Sequence, residues 1–109
     1  MGLRERSEDL SRVSDMYAER FGIRRDDDWF LLKIQEELGE LTSAYLKLTQ
    51  RAKVGDQSRA ALETNLKEEI ADVIATTLLF AKQRGIDVER ALEDKWLRYL
   101  PRAIARSTP

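Results

Sequence analysis

The placement of proline constrains this chain more than any other feature. The chain has 109 residues and only two prolines, Pro101 and Pro109, so its first hundred residues lack the strongest helix breaker. Apolar residues in that stretch recur every three or four positions, and no segment alternates apolar and polar residues with a period of two. The Asn-Gly and Asp-Gly pairs typical of hairpins are also absent. We therefore predict one all-α domain spanning residues 1–109.

The predicted elements are four helices joined by short connections. They run from Leu3 or Ser7 to Arg20, from Asp28 to Arg51, from Arg59 to Arg84, and from Val88 to Tyr99. Gly22 and Gly85 are expected to end the first and third helices, and Asp87 to cap the fourth. Any of the three aspartates at 26–28 is suited to cap the second helix. Residues 101–109 are predicted to form a flexible tail that is ordered only if it docks.

Four helices with short connections indicate a four-helix bundle whose two long central helices form an antiparallel core pair. The second helix carries an apolar seam of near-heptad spacing: Leu31, Ile34, Leu38, Leu41, Tyr45 and Leu48. The third carries a predicted buried face: Leu66, Ile70, Val73, Ile74, Thr77, Phe80 and Ala81. Two short outer helices cannot cover so wide an apolar band, so we expect a homodimer or homotetramer.

Composition limits the chemistry and the partners. There is no cysteine and no histidine, which excludes disulfides, thiolate metal sites and a Ser-His-Asp triad. Carboxylates without those residues favour hard cations such as Mg²⁺ or Mn²⁺. A net charge of −1 gives no sign of binding to duplex nucleic acid or to a membrane surface. No apolar run is long enough to span a membrane, and the charged N-terminus does not resemble a signal peptide, so we expect a cytoplasmic location.

Two acidic clusters carry the candidate chemistry. They are Glu36-Glu37-Leu38-Gly39-Glu40 on the second predicted helix and Glu68-Glu69-Ile70-Ala71-Asp72 on the third. Each contains carboxylates at positions i and i+3, which share one helix face at about 100° per residue. Glu37 and Glu69 border the apolar seams, where an unpaired charge is costly unless a partner or a metal neutralises it.

Spacing alone leaves two interpretations open. Either cluster by itself is typical of a solvated helix face, since glutamate is a strong helix former. Two clusters of matching spacing on successive helices instead favour a divalent cation held between them, with waters and phosphate oxygens completing its shell. In that case Glu36 is a spare carboxylate that could position a water nucleophile.

At these residues the chain resembles the MazG-like, all-helical nucleoside triphosphate pyrophosphohydrolases. The family pattern is Glu-Glu-x-x-Glu, a spacer, and Glu-x-x-Asp, and the stretches 32–41 and 68–73 both match it. Gly85-Ile86-Asp87 before a short helix with Ala91, Leu92 and Lys95 is also typical. The resemblance covers roughly residues 29–95. It implies Mg²⁺-dependent hydrolysis of a nucleoside triphosphate to a monophosphate and pyrophosphate, as in house-cleaning of the nucleotide pool.

The resemblance also implies roles for individual residues. Glu37, Glu40, Glu69 and Asp72 would ligate Mg²⁺, with Glu36 as a further acidic contributor to catalysis. Lys33 matches a lysine common in the family and would hold a phosphate, although a surface salt bridge with Glu37 is an equally good interpretation. Lys95 matches the family's C-terminal lysine. The asparagine that often follows it is missing here, which leaves Arg98 and Arg102 as substitutes for phosphate contacts, against the alternative of a solvated helix end.

Trp29 is the remaining candidate for substrate binding. An aromatic residue just before the first motif could stack on a nucleobase, or it could belong to the core or to an interface. Alternatives for the whole chain are a pyrophosphatase specific for dUTP, dCTP or phosphoribosyl-ATP, and a helical oligomerisation module that is not an enzyme. Basic residues opposite the acidic pairs would favour the module.

Overall fold

A computed structural model describes residues 2–107, and helices are the only regular secondary structure within that range. Met1, Thr108 and Pro109 lie outside the described residues, so the end of the predicted tail is not among them. The helices are α1 (Leu3–Phe21), α2 (Asp27–Leu48), α3 (Arg59–Gln83), α4 (Val88–Lys95) and α5 (Leu100–Ser107), with a 3₁₀ turn at Leu97–Tyr99. The predicted all-α class is thus confirmed.

Helix starts and ends follow the local signals in the sequence. The side chains of Asp26, Ser58 and Asp87 cap α2, α3 and α4, each accepting a hydrogen bond of 2.8 to 3.2 Å from a backbone N–H three residues later. Asp26, the first of the three aspartates, is therefore the cap of α2. Gly22 ends α1 with a φ of 63°, a left-handed conformation that glycine adopts without strain.

Two predicted boundaries are wrong, both towards the C-terminal ends of helices. The second helix ends at Leu48 instead of Arg51, and Gln50 has a φ of 62°, which cannot continue a right-handed helix. The fourth ends at Lys95 instead of Tyr99, and the expected flexible tail forms α5 as far as Ser107. Pro101 lies in the first turn of α5, where a missing N–H loses no helical hydrogen bond, so it helps start a helix there.

The long helices α2 and α3 lie antiparallel and form the centre of the fold, as predicted. Arg84, just beyond α3, donates a 2.7 Å hydrogen bond to Asp27 at the start of α2. Ten residues further along α2, Glu37 faces the middle of α3. Helix α1 packs on α3 and α4, and Arg4 near its start forms an ion pair with Asp87.

The core of the single chain is small. Its buried side chains are Ala18, Phe30, Ala44, Leu62, Leu78 and Ala81. The predicted seams are largely not buried: Leu31 is 53% exposed and Ile74 is 54% exposed, and Leu38, Tyr45, Ile70 and Thr77 are exposed as well. The near-heptad apolar spacing is present, but the faces along which α2 and α3 contact each other lie beside the predicted seams. Much of both seams is therefore uncovered in the single chain. Within residues 2–107, no helix combines the length and apolar character needed to cross a membrane.

Candidate metal centre and the groove beside it

Three carboxylates from the two central helices converge. Glu37 on α2 lies opposite Glu69 and Asp72 on α3, and one oxygen of each lies within 4.8 Å of the others. The convergence has a simple local cause, because Glu69 and Asp72 are one turn apart on a single helix face. The antiparallel register of α2 and α3 brings Glu37 to that same level. We call Glu37, Glu69 and Asp72 the carboxylate trio.

The electrostatics of the trio are unfavourable without a cation. Burial, followed by the charge of Asp72, raises the pKa of both Glu37 and Glu69 above the ordinary value for glutamate. The Glu37 side chain is only 14% exposed. The Oε2 atom of Glu69 is buried and, among the described residues, has no hydrogen-bond partner. A buried carboxylate oxygen without a hydrogen-bond donor destabilises the fold. A positively charged ligand bound by the trio would remove this penalty.

Lys33 and Glu36 lie next to the trio on α2 but are engaged with each other. The Nζ atom of Lys33 is 2.6 Å from Glu36 Oε1 and 3.9 Å from Glu37 Oε1. The hydrogen bond to Glu36 is the main cause of a raised pKa for the Lys33 ammonium. The salt bridge from Lys33 to Glu37 predicted as an alternative is thus present, though the closer partner is Glu36.

Glu40 does not belong to the trio. It was expected as a fourth ligand, but among the described residues only three carboxylates converge, and the Glu40 side chain is exposed. It is near enough for its charge to contribute to the raised pKa of Glu69. At about 100° per residue, Glu40 lies about 60° further round α2 from the apolar seam than Glu37 does, so its side chain points more towards solvent.

A groove of about 340 Å³ opens directly beside the trio. Its charged lining residues are Glu37, Asp72 and Lys33. The remaining lining comes from α1, α2, α3 and the connection between α1 and α2, and it is mainly apolar: Tyr17, Phe21, Ile23, Trp29, Phe30, Ala75 and Leu79, with Ser14 and Thr76. A cavity with aromatic walls and a few charged groups at one end is typical of a small-molecule site.

Trp29 lines this groove, as its predicted role requires. Its ring meets Phe30 edge to face at 5.1 Å between centroids, which fixes its orientation, and Lys33 Nζ lies 5.9 Å from its centroid. The sequence did not reveal that α1 supplies a second aromatic wall. Tyr17 and Phe21 stack at 6.0 Å, and their i, i+4 spacing was the available signal.

The three basic residues expected on the last helix lie elsewhere. Lys95 ends α4, Arg98 is in the 3₁₀ turn and donates a hydrogen bond to the Tyr99 hydroxyl, and Arg102 is on α5. None of them lines the groove, and all are exposed. A single chain therefore brings Trp29, Lys33 and the trio together but not these residues.

Comparison of the chain with protein-family models, with curated proteins and with solved structures finds no match.

Proposed function

We propose that this protein is a Mg²⁺-dependent nucleotide pyrophosphohydrolase, which splits a nucleoside triphosphate into a monophosphate and pyrophosphate. The observation that carries the proposal is the juxtaposition of the carboxylate trio with an aromatic groove. A nucleotide has the matching chemistry, with a flat apolar base at one end and anionic phosphates that bind hard cations at the other. The resemblance of the two acidic motifs to the MazG-like enzymes supports the same activity.

The trio fits a magnesium ion on its donor chemistry. All three groups offer carboxylate oxygens, which Mg²⁺ prefers, and no nitrogen or sulfur ligand of the kind that selects other metals is present. The buried Oε2 atom of Glu69 accepts no hydrogen bond from the described residues, so its lone pairs are available to a cation. Glu37, Glu69 and Asp72 would hold the ion. Bound there, it would supply charge neutralisation and polarisation of a phosphoryl group.

The chain's own residues would orient the substrate and move the proton. Trp29 and Tyr17, on two walls of the groove, suit stacking against a base. In the reaction, the oxygen of a water bonds to the α-phosphorus, the bond from that phosphorus to the bridging oxygen breaks, and pyrophosphate leaves. A carboxylate outside the trio would accept the water's proton. Glu36 is the candidate for this role, and it would first have to release the Lys33 ammonium, which lies 2.6 Å from its Oε1 atom.

The direct test is pyrophosphate release from a panel of canonical and modified nucleoside triphosphates, with Mg²⁺ and with excess chelator. We expect turnover only with the metal, and loss of at least about 100-fold in Glu69→Gln and Asp72→Asn, since each removes a charged ligand. Glu68→Gln, at an exposed neighbouring position, is the matched control and should remain active. Undiminished turnover in chelator, or equal loss in the control, would overturn the proposal.

The same panel addresses the narrower alternatives. A preference confined to dUTP, dCTP or phosphoribosyl-ATP would identify a specific pyrophosphatase within the proposed class. Absence of turnover on every substrate would leave the oligomerisation module as the better hypothesis. Against the module, Glu69 and Asp72 form no ion pair with any lysine or arginine in residues 2–107, which interhelical salt bridges would require.

A further inference from the structure

The groove has too little positive charge for the substrate proposed above. Among residues 2–107, Lys33 is the one cationic side chain that lines it, and its Nζ atom lies 2.6 Å from Glu36 Oε1. A triphosphate brings several negative charges to a site that already contains three carboxylates. One divalent cation cannot neutralise both, and enzymes that transfer phosphoryl groups place arginine or lysine against the phosphates. The site within one chain is electrostatically incomplete.

Positive charge of the kind that the groove lacks is concentrated near the C-terminus of the same chain. Residues 95–107, which we call the C-terminal arm, contain Lys95, Arg98, Arg102 and Arg106 and no acidic residue. Because the whole chain carries −1 and the arm carries +4, the rest of the chain carries −5. The arm and the acidic body are therefore complementary in charge.

The arm is also amphipathic and uncovered. At about 100° per residue, Leu100, Ala103 and Ile104 share one side of α5, while Arg102 and Arg106 share another. Every described side chain from residue 95 to 106 is exposed, including Trp96 at 69%. The principal contacts of the 3₁₀ turn and α5 are with each other and with α4, and neither packs on the α2–α3 pair.

The dimensions of the chain indicate that a second copy covers these surfaces. Its accessible surface is 8761 Å², whereas a compact monomer of 12.6 kDa exposes about 6,200 Å². Its radius of gyration is 17.5 Å, against about 13 Å for a compact domain of this length. The excess is about 2,500 Å² per chain, or about 5,000 Å² for a pair, which is at the upper end of the total area that permanent homodimers bury. The uncovered seams of α2 and α3 supply an apolar face of the kind such dimers use.

We propose that a second copy of this chain completes each site, with the C-terminal arm of one copy lying over the carboxylate groove of the other. The arginines of the arm, Arg98 and Arg102 foremost, then face the phosphates, and its apolar side packs on the uncovered seam. Twofold symmetry makes the exchange reciprocal, so a dimer contains two composite sites. The role given to the arginines rests on the proposed function, whereas the position of the arm does not.

Mixing two inactive variants tests the composite site. Glu69→Gln disables the groove, and the double variant Arg98→Ala, Arg102→Ala disables the arm. If each site takes its groove from one chain and its arm from the other, unfolding and refolding an equal mixture should restore about a quarter of wild-type activity. In half of the resulting dimers, one site then has both parts intact. Activity that stays at the level of the separate variants would refute the exchange, provided that two different affinity tags, one on each variant, co-purify and so show that mixed dimers formed.

A cross-linking experiment tests the position of the arm without any assay of activity. The chain has no cysteine, so single-cysteine variants react only where one is introduced. Arg102→Cys in one tagged chain should form a disulfide with Thr76→Cys of a second, since Thr76 lines the groove. It should not do so with Asp56→Cys, in the loop before α3. Cross-linking to the loop but not to the groove, or a wild-type sedimentation mass of one chain, would overturn the proposal. Cross-links to the groove in a protein without hydrolase activity would overturn only the proposed function.

Discussion

The substitution Glu69→Gln should stabilise the metal-free protein, although it removes a residue central to the site. The carboxylate oxygens of the trio lie within 4.8 Å of one another, and at that distance two carboxylates repel by about 0.9 kcal/mol in water and by about 3.5 kcal/mol at an effective dielectric constant of about 20. Glu69 takes part in two such pairs. Because Asp72 is exposed, the value for water is the appropriate one, and we expect a gain of about 1–2 kcal/mol in the free energy of unfolding.

In the presence of Mg²⁺, the wild type should instead be more stable than Glu69→Gln. A ligand at a hundred times its dissociation constant stabilises the folded state by about 2.7 kcal/mol. The intact trio should receive this stabilisation, while Glu69→Gln, with one charged ligand fewer, should receive little. The assay is denaturant unfolding at equal protein concentration, with chelator and with saturating Mg²⁺. Glu68→Gln should follow the wild type under both conditions. A Glu69→Gln protein that is less stable in chelator, or that gains as much from Mg²⁺ as the wild type, would refute the reasoning.

Three further predictions concern pH, capping and the groove. The folded-state pKa of Glu69 is raised, so its destabilising charge is absent below about pH 4.5 and develops as the pH rises through the raised value. The stability gained by Glu69→Gln in chelator should therefore grow from pH 4 to pH 8, and a constant gain in unfolding experiments would contradict this cause. Asp26→Ala removes the 2.8 Å bond to the Trp29 N–H and should lower the free energy of unfolding by about 1 kcal/mol; no change in thermal unfolding would show that the cap is dispensable. Trp29→Ala should raise KM for nucleotide by roughly 5- to 150-fold while changing kcat less, since stacking contributes about 1–3 kcal/mol per base; an unchanged KM would show that the base does not stack on Trp29.

The elements of the fold were predictable because their signals are local. Glycine and aspartate mark the ends and starts of helices, and the long stretch without proline leaves few alternatives to helix. The error at the C-terminus came from treating Pro101 as the end of helical structure. A proline has the opposite effect in the first turn of a helix, and nothing near Tyr99 distinguishes these two cases in the sequence.

The carboxylate trio was partly predictable, since i, i+3 spacing on two antiparallel helices brings the clusters to one level. The antiparallel register, seen where Arg84 contacts Asp27, places both Glu37 and Glu40 near the level of Glu69 and Asp72. The two glutamates differ in direction, because Glu37 borders the apolar seam of α2 and Glu40 lies about 60° further from it. The sequence contained that difference, whereas the family pattern gave both residues the same role.

The aromatic groove was the least predictable part, for a reason that also bears on the dimer. An apolar residue on a helix has the same sequence signature whether it faces its own chain, a ligand or another chain. Tyr17 and Leu31 both belong to stripes of helical period, yet the first lines a groove and the second lies on the uncovered face. Apolar periodicity therefore predicts that a helix face will be covered, but it does not indicate whether the same chain, a ligand or another chain covers that face. The chain is short, and only six side chains are buried in the part that the structure describes. The amount of uncovered apolar surface is therefore itself informative, because it exceeds what a single copy can bury.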